Sequence, residues 1–139
     1  MTHNYPMIVY IEDDPNSIDV MRLLLIEALG YPSDRVLILP DSTSFMERIG
    51  RLSQVPDLFL LDIHVPPYDG FTILQALRSD ERYAAVPTIA LTASVMNEEI
   101  NRLRTAGFSS VIAKPIDIDV MPSIIDRVLS GEQIWTIGG

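Results

Sequence analysis

Five short apolar runs, each followed by a stretch with helical spacing, constrain this chain more than any other feature. The runs are Met7 to Ile11, Val36 to Leu39, Leu58 to Leu61, Pro87 to Leu91 and Val111 to Ala113. Pro15 and Asn16 open a helical pattern that puts Ile18, Met21, Leu25, Ala28 and Leu29 on one face, closed by Gly30. Asp41 or Ser42 is placed to cap a second helix carrying Phe45, Met46 and Ile49. A third helix follows Gly70 with Phe71, Leu74 and Leu77 inward, and a fourth runs from Asn97 to a stop at Gly107. The last spans roughly Ile118 to Leu129, with Pro122 in its first turn. Strands alternating with helices five times over predict an α/β chain: a doubly wound parallel sheet covered on both faces. No linker or repeat interrupts the pattern. Residues 1–139 read as a single domain, with a core over 7–129 and a C-terminal tail over 130–139.

The strand ends carry the chemistry. In open α/β sheets, ligands bind outside the carboxyl ends of the strands. The first run ends in Glu12-Asp13-Asp14, the third in Asp62, the fourth in Thr92 and the fifth in Lys114. With the strand order 2-1-3-4-5, taken over from flavodoxin-like sheets, these ends converge. Several carboxylates held close together repel one another unless a cation joins them. Carboxylate oxygens without cysteine or clustered histidine suit Mg²⁺, with Mn²⁺ as the alternative, rather than zinc. A nucleophilic aspartate, a metal, a hydroxyl and an ammonium are the parts needed for phosphoryl transfer to a carboxylate.

Four segments in order, Ile11-Glu12-Asp13-Asp14-Pro15, Leu61-Asp62-Ile63-His64-Val65-Pro66-Pro67-Tyr68-Asp69-Gly70, Leu91-Thr92-Ala93-Ser94 and Ala113-Lys114-Pro115, give the chain a clear likeness. It resembles the receiver domains of the response-regulator family, the CheY-like phosphoacceptors of two-component signalling, and most of all the stand-alone single-domain regulators. The resemblance implies a flavodoxin-like (βα)5 fold and phosphorylation on Asp62. It implies Mg²⁺ held by Asp13, Asp62 and the backbone carbonyl of His64, with Glu12 acting through water. Thr92 and Lys114 would contact the phosphoryl group, and the Lys114-Pro115 bond would be cis. The implied donor is a histidine kinase or a histidine phosphotransfer protein. A downstream protein would dock on the face built from residues 97–129. The resemblance implies no enzyme beyond Mg²⁺-dependent self-phosphorylation and autodephosphorylation.

Four features depart from the family pattern or leave it open. The acidic pair reads as Glu12-Asp13, because Asp13 shares the alternation of Val9 and Ile11; Asp13-Asp14 is the rival register. Val111 stands where many relatives carry an aromatic residue that turns inward with the threonine. His64 is read either as an exposed loop histidine or as a side chain that covers the phosphoryl group. For the tail Gln133 to Ile137, with Trp135, packing against the domain competes with a role as a partner site.

Charge narrows the remaining classes. Ten basic against 19 acidic residues give a formal charge of −9, which argues against binding nucleic acid or an anionic membrane. No apolar run approaches the ~18 residues of a membrane span, and Met1 to Met7 lacks the pattern of a signal peptide. A cytoplasmic location is the expectation. A phosphorylation-independent interaction module of the same fold is the alternative function. An aspartate-dependent phosphohydrolase is disfavoured, since its second aspartate is replaced here by His64.

Overall fold

The computed structural model describes residues 5–135. Five strands, β1 (Ile8–Ile11), β2 (Val36–Leu39), β3 (Leu58–Asp62), β4 (Thr88–Thr92) and β5 (Ser110–Ala113), form one parallel sheet in the order β2-β1-β3-β4-β5. The helices are α1 (Pro15–Arg22), α2 (Phe45–Gly50), α3 (Gly70–Arg78), α4 (Asn97–Ala106) and α5 (Met121–Leu129). The alternation predicts this doubly wound parallel sheet, and the resemblance implies its flavodoxin-like strand order. Among the described residues, no helix is long and apolar enough to cross a membrane.

Alternation along each strand sorts the apolar side chains into two cores. Val9, Ile11, Phe59, Leu61, Ala90 and Val111 pack on one face with residues of α2, α3 and α4. Ile8, Tyr10, Leu58, Leu60, Ile89, Leu91 and Ile112 pack on the other with residues of α1 and α5. Each fully buried leucine, isoleucine or phenylalanine contributes about 1.5–3 kcal/mol relative to exposure, so these two layers dominate the favourable side of folding.

Three helices differ from their expected form. α1 does not continue regularly to Gly30: residues Leu23–Ala28 are π-helical, and Gly30 then turns the chain with φ 76°. α2 is entered through Ser44 in the left-handed region at φ 50°, with no side-chain cap. The two residues expected to cap it serve the preceding loop instead. Asp41 accepts from Thr43 N at 2.9 Å, and Ser42 Oγ bonds to the Tyr68 backbone. α5 starts at Met121 rather than Ile118, because Asp117 to Val120 form a turn and Pro122 falls in the first helical turn.

The tail returns to the sheet. Ile134 bridges to Ser110 in parallel fashion, and Ser110 Oγ donates to the Ile134 carbonyl at 2.7 Å. Trp135 packs against the core on the α4 side, with the Arg104 guanidinium 5.1 Å from its ring centroid. Thr136 and Ile137 lie outside the described residues, as does His3.

Candidate functional site

Strand alternation decides which side chains meet at the carboxyl edge. Glu12 follows Tyr10, Asp62 follows Leu60, and Lys114 follows Ile112, so all three belong to the face covered by α1 and α5. They converge there. Lys114 Nζ donates to Glu12 Oε1 at 2.9 Å, to Glu12 Oε2 at 3.1 Å and to Asp62 Oδ2 at 2.7 Å. The other oxygen of Asp62, Oδ1, accepts from the His64 N–H at 2.8 Å. Both oxygens of the expected acceptor are thus oriented before any ligand arrives.

The acidic register is visible in the same geometry. Carboxylate oxygens of Glu12, Asp13 and Asp62 lie within 4.8 Å of one another, with Glu12 and Asp62 buried and Asp13 exposed. Asp14 points elsewhere: it caps α1, accepting from Asn16 N at 3.3 Å and from Ser17 Oγ at 2.9 Å. Its carboxyl is held below the ordinary range, chiefly by the Ser17 hydroxyl.

Electrostatics follow from burial and crowding. Glu12 is fully buried, and burial followed by the neighbouring Asp62 carboxylate pushes its pKa up to about 7. Burial also pushes Asp62 upward, but hydrogen bonding with Glu12, Lys114 and the His64 N–H outweighs it and leaves this carboxyl below the usual value. For Lys114, burial is opposed by the bonds to Asp62 and Glu12, and the net effect raises its pKa. One ammonium therefore compensates two inward carboxylates, while the exposed Asp13 beside them adds a third. That surplus of oxygen donors, without nitrogen or sulfur, fits a hard divalent cation such as Mg²⁺.

Thr92 is buried at the end of β4 but does not bond to this cluster. Its Oγ1 accepts from Ser94 N at 3.2 Å. Alternation explains the separation, since Thr92 shares the parity of Ala90 and so belongs to the opposite face. His64 takes part through its backbone N–H, and its side chain is exposed. The Lys114-Pro115 peptide is cis, as the resemblance implied, and so is Pro66-Pro67. Val111 is fully buried in the core that includes Leu103 of α4.

The loop after Asp62 is shaped by close backbone approach. Gly70 opens α3, with Asp69 accepting from Thr72 N at 2.9 Å as its cap. A Cβ at residue 70 would sit 2.8 Å from Ile63 Cδ1 and 3.0 Å from Ile63 Cα, so only glycine lets α3 start this near the acceptor. Reasoning from sequence missed one member of the cluster. Tyr10, fully buried in β1, donates its hydroxyl to Glu12 Oε1 at 3.0 Å. Its two-residue offset from Glu12 was the available signal.

Comparison with known proteins agrees with this geometry. The transcriptional regulator RpaA of Synechocystis sp., described as DNA-binding, is 34% identical over 124 residues that cover 89% of this chain and 49% of that protein. The chain thus spans about half the length of that relative. The polar-differentiation response regulator DivK of Brucella abortus is 32% identical over 124 residues, covering 88% of this chain and 93% of DivK. Among solved structures, the receiver domain of a sensor histidine kinase from Pseudomonas aeruginosa PAO1 superposes with a TM-score of 0.76 at 27% identity. The match covers 90% of this chain and 98% of that one, and that structure has a magnesium ion coordinated in its active-site cleft. The family described as response regulator receiver domain matches residues 8–126, and this chain belongs to it.

Proposed function

We propose that this chain is a phosphorylation-controlled switch in which Asp62 accepts a phosphoryl group from a phosphohistidine donor. The observation that carries the reading is the clamped carboxylate of Asp62, with Lys114 on one oxygen and the His64 N–H on the other. A carboxylate oxygen attacks phosphorus and a P–O bond forms, while the P–N bond to the donor imidazole breaks. Its electron pair stays on that nitrogen, in a ring whose other nitrogen already carries a proton. Asp13, Asp62 and the His64 carbonyl would hold Mg²⁺ or Mn²⁺, with Glu12 acting through water. The bound cation supplies charge neutralisation between the incoming phosphoryl oxygens and the carboxylates.

The chain's own residues do the rest. Lys114, a compact charge on a flexible stem, exchanges its carboxylate contacts for a phosphoryl oxygen. Thr92 exchanges its contact with Ser94 N for the same group, which couples the acceptor to the loop between β4 and α4. Water later hydrolyses the aspartyl phosphate, so turnover is limited to self-phosphorylation and autodephosphorylation. The donor is a histidine kinase or a histidine phosphotransfer protein, and the signal leaves by contact of the 97–129 face with a separate downstream protein. The chain acts in the cytoplasm, where such donors present their phosphohistidine.

Intact mass after incubation with acetyl phosphate and Mg²⁺ tests the reading, beside an Asp62→Asn control. A labile gain of one phosphoryl group that disappears in the control and without Mg²⁺ is expected. No gain from a folded, Mg²⁺-binding chain, with either acetyl phosphate or a phosphohistidine donor, replaces this reading with a phosphorylation-independent interaction module.

A further inference from the structure

Tyr10 is an unusual neighbour for an acidic cluster because its ring belongs to the apolar core. It lies with Met21, Leu25 and Ile112 in the layer beneath α1 and α5, yet its hydroxyl ends on Glu12 Oε1 at 3.0 Å. A buried hydroxyl is costly unless it is hydrogen-bonded, and phenylalanine would fill the same space without that requirement. The hydroxyl is therefore informative about what Glu12 needs.

Glu12 takes its donors from three sources. Lys114 Nζ reaches both oxygens, Tyr10 reaches Oε1, and Asp14 N reaches Oε2 at 3.3 Å. These donors differ in mobility. Lys114 is partly exposed on a flexible stem, whereas the Tyr10 ring is fixed by close packing. We propose that Tyr10 is a positioning residue whose hydroxyl holds the Glu12 carboxylate aimed at the cation site, and goes on holding it when Lys114 turns away. The departure of Lys114 rests on the phosphoryl-transfer reading above; the orientation of Glu12 toward a cation does not. When the lysine turns to a phosphoryl oxygen, Glu12 loses contacts on both oxygens at once. Tyr10 and the Asp14 N–H then keep one donor on each oxygen, and the carboxylate stays in place.

The test is a double-mutant cycle read by calorimetric titration of Mg²⁺ into the metal-free full chain. Tyr10→Phe keeps the ring, and Tyr10→Met fills the space should the phenylalanine variant fail to fold. In the native Glu12 background, loss of the hydroxyl is expected to weaken Mg²⁺ binding about tenfold, the scale on which partners of metal-site residues act. In the Glu12→Gln background the same change is expected to leave affinity unaltered, because there is no carboxylate left to aim. Equal loss in both backgrounds marks a merely structural role and overturns the proposal, as does unchanged affinity in both or no Mg²⁺ binding by the native chain. The acetyl phosphate mass gain of the native chain, measured beside this cycle, decides the phosphoryl-transfer reading separately.

Discussion

The two edges of the one sheet are built on opposite plans. At the amino edge, polar groups close on each other across neighbouring strands. Met7 and Asp57 exchange two bonds of 2.8 Å, and Thr88 and Ser109 exchange bonds of 3.1 and 2.8 Å. At the carboxyl edge, Glu12, Asp13, Asp62 and Lys114 face one another with an excess of negative charge. The first edge satisfies its groups locally and finishes the fold. The second leaves an excess of negative charge that a divalent cation would offset. Function here sits where the folded chain alone is electrostatically incomplete.

Changes at the carboxyl edge should therefore alter chemistry and stability together, while changes at the amino edge alter stability alone. Asp62→Asn is the largest break, with complete loss of the Mg²⁺-dependent mass gain. Lys114→Ala leaves two inward carboxylates without their cation. In metal-free buffer at pH 8, urea unfolding should show a loss of about 2–3 kcal/mol. That is less than for a fully buried ion, because Lys114 is partly exposed and Glu12 can take up a proton.

Glu12 gives the comparison a pH axis. Its folded pKa is raised from 4.5 to about 7, so the metal-free fold binds this proton more tightly than the unfolded chain does. Its stabilising contribution is full below about pH 4.5 and is lost as pH rises through 7. Urea unfolding between pH 5 and 8 should show that decline, and Glu12→Gln should flatten it. A slope that survives in the glutamine variant would assign it to another group. The smallest effect is expected at the other edge. Asp57→Ala should cost about 1 kcal/mol through the lost bond to Met7 N, with Mg²⁺ affinity and mass gain unaltered.

The strands and the polar residue that ends each were readable in the sequence because both depend on local pattern. The convergence of those ends rested instead on a borrowed strand order and on the family resemblance. Apolar runs mark buried strands, and two-residue alternation carries Glu12, Asp62 and Lys114 to one face. The same rule separates Thr92 from them, although the convergence of strand ends had suggested a single group. What escaped did so for different reasons. Ser42 looked like a helix cap, yet it bonds to a loop 26 residues away. Tyr10 looked like core because its ring is core, and only its last atom belongs to the site. The π-helical stretch after Arg22 has no pattern that distinguishes it from continued α-helix.

The Ser42 contact has a consequence for how a signal travels. Its hydroxyl donates to the Tyr68 carbonyl at 2.8 Å and accepts from the Tyr68 N–H at 2.7 Å, while its own N–H reaches the Pro66 carbonyl at 3.0 Å. Three bonds thus bolt the loop after the acceptor to the loop after β2. On the other flank, the start of the loop after β4 is joined to Thr92 by the Ser94 contact, and Met96 stands 64% exposed beyond it. The pocket works like a vice with one jaw welded to its frame. Were Asp62 phosphorylated as proposed, the jaw free to move would be the other one, toward α4 and β5.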